Sequence, residues 1–203
     1  MRRATMCSLL TAAAVAAAAG PAGAGVTPIG EFVGEVSEGF EMLQPPGSYP
    51  DLAILGGAAT MKDTLATIAV ISYIWQGPGG TVYPYAGNLF AGTPAGSTLF
   101  TFATPIRDFG GYLTTVSDVP NGSVVFRDVQ GIEIATVPLT VTPTVWQWQG
   151  WRSDTPVKSI EVIGGGPFGN RPMQYDELQI AIPEPGSLGL IALGAGLVAF
   201  RRR

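Results

Sequence analysis

The chain has 203 residues, with 11 Lys+Arg, 15 Asp+Glu, no histidine and one cysteine. That length suits one domain with short appendages, and 46% hydrophobic content excludes a disordered tail. The lack of histidine excludes Ser-His-Asp and Cys-His catalysis and most zinc sites, while 28 glycines and 17 prolines point to short strands and turns, not a helical bundle.

Residues 1–24 read as a secretory signal. Arg2 and Arg3 form a positive start, residues 9–19 are an apolar run, Gly20-Pro21 breaks it, and Ala22-Gly23-Ala24 offers small residues to signal peptidase. At about 1.5 Å per residue the run is well short of a ~30 Å hydrocarbon core, so a removed signal helix with cleavage after Ala24 is expected. The one cysteine, Cys7, falls inside this segment and ahead of the apolar run. A lipid attachment there is not expected, and the mature domain is left without a disulfide.

Residues 25–182 form the exported domain. They carry six basic and 14 acidic side chains, a net charge of −8 against −4 for the whole chain, because five arginines sit in the two end segments. Such a domain repels phosphate backbones, so nucleic acid is not an expected partner. Strands are predicted at 32–36, 41–43, 53–55, 65–75, 82–85, 98–102, 111–115, 123–128, 132–137, 145–149, 158–163 and 174–182. Their spacing with intervening turn signals is that of an antiparallel β-sandwich. Residues 58–75 could compete as a helix, but the β-branched Thr64, Thr67, Ile68, Val70, Ile71 and Ile74 favour strand. Asn121-Gly122 suits a tight turn and Asp128–Gly131 a hairpin loop.

Several motifs invite chemistry. Gly164-x-Gly166-x-x-Gly169 follows a strand, but Asn170-Arg171-Pro172 and another strand come next, where a dinucleotide site needs a helix; it reads as a glycine-rich loop. Trp146, Trp148 and Trp151 lie in the run WQWQGW. Tryptophan faces stack on sugar rings, yet Trp146 and Trp148 share one strand face, and such a face is commonly core. Arg107-Asp108 reads as a local pair, and Asp154 as a turn residue bonding nearby amides. A glycosidase needs two carboxylates about 5–10 Å apart; nothing in the spacing of the 14 acids selects a pair, and no catalytic residue is expected.

The C-terminus closes with Pro183-Glu184-Pro185, an uncharged apolar stretch at 188–200, and Arg201-Arg202-Arg203. Thirteen helical residues span about 20 Å, a short transmembrane helix, and the terminal arginines favour the cytoplasmic side. In that order these elements resemble the PEP-CTERM sorting tail over 183–203. The resemblance implies recognition by an exosortase, a membrane cysteine protease of Gram-negative bacteria that make exopolysaccharide and biofilm. The chain would be held briefly at the inner membrane, processed near the Pro183–Pro185 motif, and released or attached at the cell surface. Pro183, Glu184, Pro185, Arg201, Arg202 and Arg203 are then recognition residues for another enzyme.

The segments LFTFATPIRDFGGYL, GSVVFRD followed by GIEIAT, WQWQGWRSDTPVKSIEVIG and YDELQI resemble a jelly-roll-like β-sandwich ectodomain carried by many PEP-CTERM proteins, similar to carbohydrate-binding modules and discoidin domains. That resemblance implies a structural calcium between an early Phe-Glu, here Phe40-Glu41, and a late aspartate, here Asp176. The expected function is a non-catalytic surface or biofilm-matrix protein that contacts extracellular polysaccharide. A carboxylate-dependent polysaccharide hydrolase or lyase, or a purely structural matrix protein, is the alternative.

Overall fold

The computed structural model describes residues 25–42, 45–66, 69–166 and 172–182. The signal segment and the sorting tail lie outside them. The described chain is all-β and every strand pair is antiparallel. In order the strands are β1 (Val26–Pro28), β2 (Val36–Glu38), β3 (Gly47–Tyr49), β4 (Leu52–Ile54), β5 (Ala59–Asp63), β6 (Ala69–Ser72), β7 (Trp75–Gly77), β8 (Gly80–Val82), β9 (Phe90–Thr93), β10 (Thr98–Thr114), β11 (Asn121–Arg127), β12 (Glu133–Thr140), β13 (Gln147–Ile163) and β14 (Met173–Ala181). The described residues of 58–75, which are 58–66 and 69–75, hold strand, turn and bend, not helix.

Two 17-residue strands, β10 and β13, organise the domain. Each was expected as two separate strands, with breaks at 103–110 and at 150–157. Both run through these segments, with register shifts between Thr101 and Asp108. Asp154 accordingly sits within β13 and not in a turn. Phe100 and Phe109 are nine residues apart on β10, which would separate them by about 30 Å in an extended strand. Their ring centroids are 5.2 Å apart, so the strand folds sharply back on itself and contributes to two facing layers.

In the first layer the early half of β10 pairs with β5 and with the late half of β13, and β11, β12 and β4 extend it on either side. In the second, the late half of β10 lies between the early half of β13 and β14; β1 extends one edge, and β9, β6 and β3 the other, with β2 on the end of β14. Between the layers lies a core of Phe100, Phe102, Phe109, Phe126, Trp151, Tyr175, Leu178 and Ile180, all buried. Apolar residues at alternate positions supply it from both sides, the arrangement that makes a two-layer β-structure bury one face of each sheet.

The Asp128–Gly131 loop joins β11 to β12 as expected. The Asp128 carboxylate accepts the amides of Gln130 and Ile132, and Gly131 has φ 79°. Asn121-Gly122, expected as a turn, instead opens β11, with Gly122 opposite Leu139 of β12. Of the glycine-rich segment, residues 167–171 lie outside the described residues; strand β14 begins at Met173, just after it.

Candidate functional site

Side chains of the second layer that point away from the core are set by the register. Phe109, Trp151 and Ile180 are cross-strand partners and face inward, as do Leu113 and Tyr175. The alternate positions face outward in successive cross-strand rows: Arg152 and Asp108; Gly150, Gly110 and Gln179; Trp148, Tyr112 and Asp176; then Thr114, Gln174 and Gly92.

An aromatic row crosses this outer face. Phe32 meets Trp148 edge-on at 5.8 Å between centroids, Trp148 meets Tyr112 at 5.6 Å, and Tyr112 stacks on Tyr85 at 3.7 Å with 16° between planes. Phe32, Trp148 and Tyr112 are half-exposed and Tyr85 is exposed. The Tyr112 hydroxyl donates to the Glu31 carboxylate at 3.0 Å. Its neighbour Tyr85, partial burial and Glu31 together push its pKa up. The Trp148 ring lies against two facing glycines: an added Cβ at Gly110 would come 2.6 Å from Cζ2, and one at Gly150 2.8 Å from Nε1. At the far end Arg152 grips Asp108 with two hydrogen bonds, 2.8 Å and 2.5 Å, a cross-strand ion pair in place of the expected local Arg107-Asp108 pair. The Asp108 carboxylate holds the Arg152 guanidinium more firmly charged.

The three tryptophans of WQWQGW therefore have three different settings. Trp151 is 4% exposed and stacks on Phe109 in the core, so it offers no face to a sugar. Trp146 is half-buried at the edge of a small second cluster with Val82, Phe90, Val116 and Trp75, and its Nε1 donates to the Tyr83 carbonyl at 2.8 Å. Trp148 alone lies in the outward aromatic row. Tyr112, Tyr85 and Phe32 were not selected from the sequence. Tyr112 had a signal, its position in GGYL on a strand; Tyr85 and Phe32 reach the row through loops, which strand periodicity does not place.

Glu41 and Asp176 converge on one loop. Glu41 Oε1 accepts the amides of Asn88 and Leu89, both at 2.6 Å, and this lowers its pKa. Asp176 Oδ2 accepts the amides of Tyr85 and Ala86 at 2.9 and 3.1 Å, and Oδ1 accepts that of Glu177 at 2.9 Å. Burial outweighs these bonds and raises the Asp176 pKa to about 7. A calcium ion needs six to eight oxygens around it. Here Glu41 Oε1 and both Asp176 oxygens face N–H donors. As arranged, Glu41 and Asp176 clip one loop, Tyr85–Leu89, through its amides. An open hollow of about 430 Å³ is lined by Met42, Tyr49, Asp51 and Gly56 and by none of the aromatic-row residues.

The PEP-CTERM protein-sorting motif family matches residues 181–203. No curated protein matches the chain. Among solved structures, the catalytic domain of Agl-KA is 17% identical over 68% of this chain, with a TM-score of 0.38; the chain spans only 28% of that protein's length. A family 6 carbohydrate-binding module is 12% identical over 67% of this chain and 93% of its own, TM-score 0.35. The family 11 carbohydrate-binding module from Clostridium thermocellum is 11% identical over 75% of this chain and 98% of its own, TM-score 0.37. Among the described residues no helix is long and apolar enough to cross a membrane. With its sorting motif at residues 181–203, the chain is an exosortase-targeted surface protein.

Proposed function

We propose that this protein is exported, processed by exosortase, and works at the cell surface or in the biofilm matrix as a non-catalytic binder of extracellular polysaccharide. The observation that carries the reading is the half-exposed aromatic row Phe32–Trp148–Tyr112–Tyr85 on the outer face of the second layer. Aromatic faces bury the apolar C–H faces of pyranose rings, and the exposed carboxylate of Glu31 beside the row accepts hydroxyl hydrogens. The row is held firmly by glycine contacts and ring packing, so little ordering entropy opposes binding.

The net charge of −8 on residues 25–182 favours a neutral polymer over an anionic one. Native affinity electrophoresis tests the reading. Neutral polysaccharide in the gel should retard the wild-type protein, and Tyr112→Ala should abolish the retardation while thermal unfolding stays cooperative. Equal mobility of both proteins in every gel overturns it. Processing is tested separately: mass spectrometry of the extracellular protein should find a C-terminus upstream of Arg201, and intact Arg203 on surface protein would refute that step.

A further inference from the structure

One row beyond Tyr112 and Asp176, about 6.6 Å further along the strands, Thr114 faces Gln174 across the β10–β14 ladder. Both are fully buried. The Thr114 hydroxyl and both amide atoms of Gln174 have no hydrogen-bond partner among the described residues. Gln174 is paired in turn with Gly92 of β9, and Trp75 roofs that glycine: a Cβ there would lie 2.8 Å from the indole Cζ3. An unpaired amide and an unpaired hydroxyl thus lie side by side on the sheet, next to the glycine that the aromatic ring covers.

Unpaired buried polar groups are costly, and apolar side chains of the same shape would avoid the cost. Their placement beside the aromatic row gives them a use. A primary amide offers one acceptor and two donors side by side, which suits the two hydroxyls of a vicinal diol, and the Thr114 hydroxyl can give or take a third bond. The roof stands outside the main sheet, so lifting it to admit a sugar breaks no pairing of that sheet. Trp75 belongs to the hairpin β7–β8, which pairs with no other strand among the described residues. A lone two-stranded hairpin is only marginally stable. It is tied down through Gly79 N–H to the Val116 carbonyl and by packing of Trp75 and Val82 with Phe90 and Val116, and the segment after it through Trp146 Nε1 to the Tyr83 carbonyl.

We propose that Thr114 and Gln174 form a hydrogen-bonding subsite, roofed by Trp75, that takes the vicinal hydroxyls of one neutral pyranose unit. The inference rests on the polysaccharide-binding reading above and adds the polar subsite to it. The test uses the full chain in mild detergent, with native affinity electrophoresis in hydroxyethylcellulose, dextran and alginate, and calorimetry on the same samples. At least one neutral polymer should retard the wild type, and alginate should not. Gln174→Met, which keeps the shape and removes the amide, should raise Tm by several degrees and weaken retardation at least tenfold. Thr114→Val should act in the same direction.

A lower Tm for Gln174→Met would mean that the amide is bonded within the protein, and overturns the subsite. So does a raised Tm with retardation within twofold of wild type. If Tyr112→Ala abolishes retardation while Gln174→Met and Thr114→Val keep it, the subsite falls and the binding face stands. If no gel retards the wild type, both fall; retardation by alginate alone overturns the assignment to a neutral sugar.

Discussion

Asp63, at the end of β5, offers a sharp test of how the domain is held together. Its side chain is fully buried. Oδ1 accepts the amides of Leu65 and Ala66 at 2.7 and 2.8 Å, and Oδ2 those of Ala95 and Gly96, both at 2.7 Å. One carboxylate therefore satisfies four backbone donors and ties the turn after β5 to the turn before β10. The Thr64 and Ser97 hydroxyls, 2.8 Å apart, close the same junction. Each hydrogen bond to a charged group is worth about 1.5–3 kcal/mol, and the four are not additive. Leu65 is exposed and Ala66 and Ala95 are half-buried, so in Asp63→Ala their amides regain water, while the buried Gly96 does not. The expected loss is roughly 3–5 kcal/mol, a large part of the 5–15 kcal/mol typical of a domain. Tm should fall by roughly 10–15 °C at this size. Asp63→Asn should be nearly as damaging, because its NH2 would face two N–H donors. Thermal and urea unfolding followed by tryptophan fluorescence read both variants. A Tm within about 2 °C of wild type for Asp63→Ala, or full stability in Asp63→Asn, would refute the reasoning.

Three further outcomes follow from the geometry. The Asp176 pKa is raised from its ordinary 3.8 to about 7, so the folded state holds that proton more tightly than the unfolded chain does. Its contribution is complete below about pH 4 and is lost as pH rises through 7, by up to about 4 kcal/mol; Asp176→Asn should flatten this slope in urea titrations at pH 5 and 8. EDTA should leave Tm unchanged within about 1 °C, since Glu41 and Asp176 face amide donors; a rise in Tm on adding calcium would restore the ion to this pair. Trp151→Ala should cost about 3–5 kcal/mol as a core deletion, whereas Trp148→Ala, on the outer face, should cost visibly less in the same melts.

The all-β character was legible from turn density and β-branched runs, and the β11–β12 hairpin from DVQG with its Asp128 cap. The long strands were not. Pro105 and Pro156 look like strand breakers, yet each sits where its strand bends, a position that tolerates a missing donor. Small strands such as β3 and β9 carry three or four residues, too few for a period to register. Of the candidate site, Trp148 was visible in WQWQGW, but its separation from the buried Trp151 depends on the register with β10. Asp176 and Glu41 were singled out together, and they do converge on one loop, through amide bonds that no side-chain pattern announces.

The bend in β10 and β13 explains why this outer face is free of the main core. Where each strand folds back, the inward positions on both sides of the bend are used up by the core: Phe100 and Phe102 before it, Phe109 and Leu113 after it. The outward positions of the second half then carry no packing duty of that core, and their composition departs from a plain solvated surface. Gly110 and Gly150 stand opposite one another where a strand interior disfavours glycine. The Trp148 ring occupies the space two side chains would need. A sheet that gives up two side chains to seat one half-exposed indole, next to two stacked tyrosines, is shaped to present aromatic surface and not merely to shed water from its core.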